Sequence, residues 1–284
     1  MGYDGFLNVL KPPGMTSNDV VTWVRRKLGG VKVGHAGTLD PEAAGVLPLM
    51  LGKATRLLDD LEKSKGYIAE WIPGTSTDTQ DAQGAVIGRS DFRPDRTAIE
   101  AALQHFIGEV SQIPPKYSAL KVSGIAAYTR TRRGETVSLA PRTVRFDEIK
   151  ILGESPCGGM MLSITCGGGA YIRTLCQDLG AALGCPSHMS FLLRTHSGVF
   201  RLEDAVTIEE LEDGTFTVIP MDMPLMHLPR VDIPMTWAAR ARCGNPIPMR
   251  LLPLDTPVRL YLDDTFAGIG TSVNQNVVFR TMLL

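Results

Sequence analysis

The break at Lys11-Pro12-Pro13-Gly14 constrains this chain more than any other feature. The apolar run before it, residues 6–10 (FLNVL), predicts a short buried strand that must stop there, because proline donates nothing to a ladder and glycine permits the turn. Thr16-Ser17-Asn18-Asp19 then supplies capping oxygens, and Val20, Val21, Val24 and Leu28 recur at helical spacing until Gly29-Gly30. A strand followed directly by a helix sets the pattern for the rest, which mixes both without an internal repeat.

A second helix is predicted after Asp40-Pro41, with Asp40 as its cap, Pro41 in the first helical position, and Leu47, Leu49 and Leu51 carried toward Gly52. Tyr67–Ile72 reads as a strand, and the acidic turn TSTDTQDAQG leads to Ala85-Val86-Ile87 as a hairpin partner. Residues 97–107 form an amphipathic helix, 143–152 and 160–166 alternate as strands, and 171–183 has helical spacing after three glycines. The order predicts an α+β fold with a central, mostly antiparallel sheet flanked by helices. Leu228-Pro229-Arg230 marks a boundary, so the expected domains are 1–229 and a compact β-rich module over 230–284.

Charge narrows the function. The net charge of −1 over 284 residues gives no whole-chain signature of a nucleic-acid or membrane binder. The local balance differs: residues 110–150 hold 8 basic and 3 acidic side chains, a charge of +5, while residues 200–284 hold 7 and 11. Such a stretch is either a solvated face or a phosphate-contacting one. The five cysteines (157, 166, 176, 185 and 243) include no Cys-x-x-Cys pair, which predicts reduced thiols rather than a disulfide framework or zinc ribbon. No secretory leader or long apolar run is evident, so the expected location is the cytoplasm.

Three other chemistries fit poorly. Leu51-Gly52-Lys53-Ala54-Thr55 lacks the earlier glycine and the Ser or Thr of a phosphate loop. The histidines have no metal spacing, and no serine sits in a nucleophile elbow. Gly167-Gly168-Gly169 presents either backbone N–H groups to a phosphate or a tight packing turn. What remains is GHAGTLDPEAAGVLP, residues 34–48, in which Asp40 is a capping residue, a reactive carboxylate, or both.

Several separated motifs now fall in order: Lys11-Pro12-Pro13-Gly14-Met15-Thr16-Ser17, Gly34-His35-Ala36-Gly37-Thr38-Leu39-Asp40-Pro41, Lys65-Gly66-Tyr67, Thr77-Asp78-Thr79-Gln80-Asp81, Pro114 to Lys121, and Tyr171-Ile172-Arg173-Thr174-Leu175. Together they closely resemble the bacterial tRNA pseudouridine-55 synthase (TruB) family over residues 5–200, and the tail more weakly resembles its PUA-type RNA-binding module. Gly168, Ala170 and Pro73 depart from the family's usual residues.

The resemblance implies a pseudouridine synthase fold and detachment of uracil from C1′ of a T-loop uridine, followed by rejoining through C5. It implies no metal and no cofactor. Asp40 is then the catalytic carboxylate, whose pKa a bidentate Arg173 would lower, with Tyr67 stacking on the base and shuttling a proton. Leu192 would pack on the base's other face, and His35 would fill the gap left by a flipped nucleotide. Further RNA contacts are expected from Tyr171, Lys11, Lys116, Tyr117, Lys121, Arg130 and Arg132, near Arg133 and Tyr128. The expected partner is the T-arm and T-loop of tRNA, bound by a monomer with no membrane and no nucleotide cofactor. A non-catalytic RNA-binding protein, or a phosphate enzyme built on Gly167–Gly169, are the competing readings.

Overall fold

The computed structural model describes residues 3–118, 120–122, 125–126, 139–249 and 256–284, with the side chains of 121, 122, 125 and 126 left out. The first strand, β1 (Gly5–Lys11), ends at the Pro-Pro-Gly break, and α1 (Ser17–Lys27) follows. Thr16 caps α1: its hydroxyl accepts from the Asp19 N–H at 3.0 Å, and the Asp19 carboxylate accepts from the Thr16 N–H at 2.8 Å. Val20, Val21 and Val24 turn inward, as their spacing predicts.

The sheet continues with β2 (Val33–His35), β3 (Ala44–Leu51) and β4 (Lys65–Pro73). The acidic hairpin is β5 (Thr75–Thr77) and β6 (Val86–Arg89), followed by helix α2 (Arg96–Gln104) and β7 (Gly108–Gln112). After the short pair β8 (Lys121–Val122) and β9 (Ile125–Ala126) come β10 (Arg142–Glu154), β11 (Met160–Cys166), helix α3 (Ile172–Ala182), β12 (Ser187–Ser197) and β13 (Phe200–Arg201). The main sheet runs β1-β3-β12-β4-β11-β10-β7, with β2 beside β3 and β13 beside β12. All its pairs are antiparallel except β12 with β3, which meet in parallel only at Leu193 with Ala44 and Arg194 with Gly45.

That short parallel seam joins the two halves of the sheet. A glycine is required there: Gly45 has φ +116°, and a Cβ on it would lie 2.2 Å from the Arg194 carbonyl oxygen. The helix expected over 41–51 is absent, and this region is the strand β3, buried along nearly its whole length. A strand covered on both faces reads as a continuous apolar run, which periodicity does not separate from a buried helix. Pro48 was the contrary signal, because a proline inside a helix costs about 3 kcal/mol or more.

The main core packs Trp71, Phe146, Leu162, Ile164, Leu175 and Leu179 between the sheet and α2 and α3. A second sheet, β14 (Arg230–Asp232), β15 (Val258–Leu262), β16 (Thr265–Val273) and β17 (Asn276–Met282), encloses its own small core around Leu260, Ala267 and Val277. It does not stand alone. Ile269 and Leu283 share a cluster with Phe6, Val46 and Phe200, Lys53 donates to the Leu283 carbonyl at 2.7 Å, and Arg280 pairs with the buried Asp60. Among the described residues no helix is long and apolar enough to cross a membrane.

Candidate active site

The stretch carrying Asp40 bridges α1 and β3 and is held from both sides. Ser17 Oγ accepts from the Leu39 N–H at 2.8 Å and donates to the Leu39 carbonyl at 3.1 Å. Lys11 Nζ donates to the carbonyls of Pro12, Pro41 and Ala43 at 2.8, 2.9 and 2.7 Å. Lys11 is fully buried, so the expectation that it contacts RNA fails: its three donors are spent on main chain. The proline-glycine motif is thus a clamp on the residues that follow Asp40, and the Gly14 N–H adds a bond to the Pro41 carbonyl at 2.9 Å.

Asp40 caps no helix. Its carboxylate receives Arg173 as a fork, Nη2 to Oδ1 at 3.0 Å and Nε to Oδ2 at 2.9 Å, while its side chain remains 37% exposed at the surface of the site. Arg173, near the start of α3, is 4% exposed. It also donates to Asp81 Oδ2 at 3.3 Å, to the Thr79 carbonyl at 3.2 Å and to the Tyr117 carbonyl at 3.0 Å. Three motifs that lie far apart in sequence therefore meet on one guanidinium.

Arg173 was expected to bring the Asp40 pKa down. The net direction is the reverse: desolvation raises it, the Asp81 carboxylate adds to the rise, and Arg173 opposes both. Asp81 is the site residue that the sequence reading left without a role. It holds the loop by accepting from Thr79 Oγ1 at 2.6 Å and the Gln83 N–H at 3.1 Å. Gln112 was missed as well; buried, it receives the Tyr171 N–H at 3.0 Å and donates to the Tyr171 carbonyl at 3.2 Å, fixing the entry to α3. A glutamine in a strand carries no local signal of such a contact.

The neighbours of Asp40 pack into an apolar cluster. Tyr67 on β4 and Leu192 on β12 are 7% and 8% exposed and share a cluster with Leu39 and Ala43. Burial pushes the Tyr67 hydroxyl up to about 12, and the nearby Arg194 charge works against that rise, so the phenol keeps its proton. Arg194, fully buried on β12, donates to the carbonyls of Val46 at 2.6 Å, Gly37 at 3.1 Å and Thr38 at 3.4 Å.

His35 ends β2, and its Nδ1 accepts from the Gly37 N–H at 3.3 Å. Burial and the nearby Arg194 and Lys65 lower its pKa, which keeps the ring neutral. Tyr171 is half-buried beside Arg173, Lys116 is exposed and Tyr117 half-buried. Arg130, Arg132, Arg133, Tyr128, Gly124 and Gly134, and the side chain of Lys121, lie outside the described residues.

A carboxylate held on a guanidinium beside an aromatic and aliphatic cluster is suited to a flat, neutral ring attached to a sugar. The sheet and its flanking helices match solved structures of that class. An H/ACA RNP bound to a substrate RNA containing 2′-deoxyuridine superposes with a TM-score of 0.73 at 26% identity, covering 99% of this chain and 86% of that one. A Cbf5-Nop10-Gar1 complex gives 0.69 at 28% identity, covering 95% and 78%. The fold is that of the pseudouridine synthases.

The chain belongs to the TruB family: the family's pseudouridylate synthase N-terminal domain matches residues 25–172, and the tRNA pseudouridylate synthase B C-terminal domain matches 173–223. The tRNA pseudouridine synthase B of Alkaliphilus oremlandii is 42% identical over 283 residues, covering 96% of this chain and 94% of that protein. That of Ruegeria pomeroyi is 43% identical over 249 residues, covering 85% and 82%.

Proposed function

We propose that this protein converts uridine 55 in the T-loop of tRNA to pseudouridine, with Asp40 as the catalytic carboxylate. The observation that carries the reading is the Arg173 fork, which fixes a partly exposed carboxylate beside the apolar cluster that holds Tyr67 and Leu192. The uridine flips into this site at a cost of a few kcal/mol of lost stacking, and the neutral His35 ring takes the vacated place in the loop.

Asp40 assists cleavage of the C1′–N1 bond, by adding to base or sugar or by taking part in a glycal route. Uracil then turns and C1′ bonds to C5. The proton lost from C5 is balanced by one gained at N1, so the product is an isomer. Tyr67, kept protonated by burial, has a proton to donate and relays it at the turned base. The enzyme acts as a monomer in the cytoplasm, and residues 230–284, with their own sheet and core, form a second RNA-contacting unit.

The test is tritium release from tRNA transcripts carrying [5-³H]uridine, with wild type, Asp40→Asn, and a transcript bearing cytidine at position 55. Release by wild type alone, abolished by either change, is the expected result. A folded wild type that binds the tRNA without release overturns the reading in favour of a non-catalytic RNA binder.

A further inference from the structure

Lys65 is the residue of the Lys65-Gly66-Tyr67 motif that the site leaves without a role. It sits two residues before Tyr67 on β4, so both side chains leave the same face of the strand, about 7 Å apart. Its ammonium lies against the loop before Asp40: a Cβ on Gly37 would stand 2.9 Å from Lys65 Nζ and 3.7 Å from Arg194 Nη1. Two cations therefore back the same turn of chain.

Among the described residues, Lys65 makes no hydrogen bond and no ion pair. Burial and Arg194 push its pKa down to about 8; only the Cys166 thiol works against them, and no carboxylate does. A half-buried ammonium with neither partner nor full hydration is held at a cost, which an incoming anion removes. The space for one is present. Lys65 lines an open cleft of about 530 Å³, walled also by His35, Gly168, Gly169 and Phe200. Asp59, Glu62 and Lys63 reach this cleft too, but they are exposed, and neither acid bonds Lys65. Gly168 and Gly169 bring no side chains of their own to the cleft; the Lys63 side chain lies against Gly168, and no neighbouring atom lies within 4 Å of a Cβ placed on Gly169.

We propose that this cleft is an anion subsite for an RNA phosphodiester next to the reacting uridine, with Lys65 as the contacting cation. The inference rests on the reading that the uridine lies over Tyr67 and Asp40. One nucleotide step then carries the neighbouring phosphate past the His35–Thr38 loop to Lys65, and the aromatic and glycine walls leave room for the sugar.

Equilibrium binding of unmodified tRNA, measured in an Asp40→Asn background so that substrate is not consumed, tests this across 50–300 mM NaCl. Lys65→Met should raise Kd about tenfold at the lowest salt and flatten the plot of log Kd against log salt by about 0.7, the share of one phosphate contact on a single strand. Lys65→Arg should keep both parent values, and Lys65→Gln replaces the Met variant if that one does not fold. With Asp40 intact, Lys65→Met should raise KM about tenfold and leave kcat within about twofold. An unchanged salt slope in the neutral variants overturns the proposal, as does an equal loss in Lys65→Arg or a fall in kcat at constant KM. The two readings fail separately: a Lys65-dependent salt slope without tritium release by the wild type removes the uridine chemistry and leaves the anion subsite standing.

Discussion

Asp40 stands between two buried arginines that are satisfied in opposite ways. On the helix side, Arg173 meets two carboxylates, Asp40 and Asp81, and its remaining donors go to carbonyls. On the sheet side, Arg194 meets no carboxylate among the described residues; its partners are three carbonyls, and its charge acts on the nearby Tyr67 hydroxyl. Its charge instead depresses the pKa values of His35, Lys65 and Lys11. The Arg173 charge on the first side is more than matched inside the protein, by two carboxylates, so it fixes geometry. Charge on the second side is left over, and RNA, with a negative charge on every phosphate, is the kind of ligand that cancels it.

The largest break in this comparison comes from the balanced side. Arg173→Met should lower kcat about 10³-fold, equivalent to about 4 kcal/mol of barrier, because Asp40 loses its fork while Asp81 stays beside it. Arg173→Lys should recover little of this, since an ammonium does not span Asp40, Asp81 and two carbonyls at once. Single-turnover tritium release reads both. Recovery to within tenfold by lysine would reduce Arg173 to a point charge.

The next break is on the other side and appears first as stability. Arg194→Met strands the carbonyls of Gly37, Thr38 and Val46, and should cost about 3 kcal/mol in urea unfolding with an unchanged m-value. A smaller loss of stability accompanied by a large loss of activity would assign Arg194 to the charge at Tyr67 and not to the scaffold.

Legibility in the sequence follows the same division. The elements with clear periodicity, α1, α2, β10, β11 and α3, fall where their spacing puts them. The strand β3 does not, because burial on both faces erases the alternation that marks a strand. Asp40 and Arg173 were legible only through the ordered motifs, and that they form a fork follows from folding, since they stand 133 positions apart. The error over Lys11 has a physical source: a lysine beside a proline-glycine turn looks like a surface cation, and nothing local shows three carbonyls converging on it. Asp81 stood inside a recognised motif, but its effect on Asp40 arises only when α3 brings Arg173 between them.

A third prediction sharpens the balance at Asp40 by pH. Its folded pKa is raised, so between the ordinary carboxylate range and that raised value the folded protein binds more protons than the unfolded chain. The Asp40 contribution to stability therefore declines as pH rises through this window, while activity, which on the proposed mechanism needs the anion, should increase. The acid limb of the pH–rate profile should lie above the ordinary carboxylate range. Asp81→Asn removes a charge that raises the Asp40 pKa, so its limb should move to lower pH. Its plateau should fall about tenfold, because Arg173 loses one of its anchors. A limb that stays in place would mean that burial alone sets the Asp40 pKa.

The smallest effect comes from Ser17, which acts on neither arginine but on the backbone that carries Asp40 between them. Its hydroxyl both accepts from and donates to Leu39, inside the buried start of α1. Ser17→Ala leaves the Leu39 N–H and carbonyl without that partner, which should cost about 1 kcal/mol of stability in urea unfolding. Lys11 still clamps Pro41 and Ala43, so one end of the loop remains fixed. The expected signature is a lower kcat, by about threefold, with KM unchanged, because the carboxylate is less well aimed while the RNA surface is untouched. An unchanged kcat together with the full stability loss would show that Lys11 and Arg173 suffice to aim Asp40, and that the Ser17 contact serves only the join between α1 and the sheet.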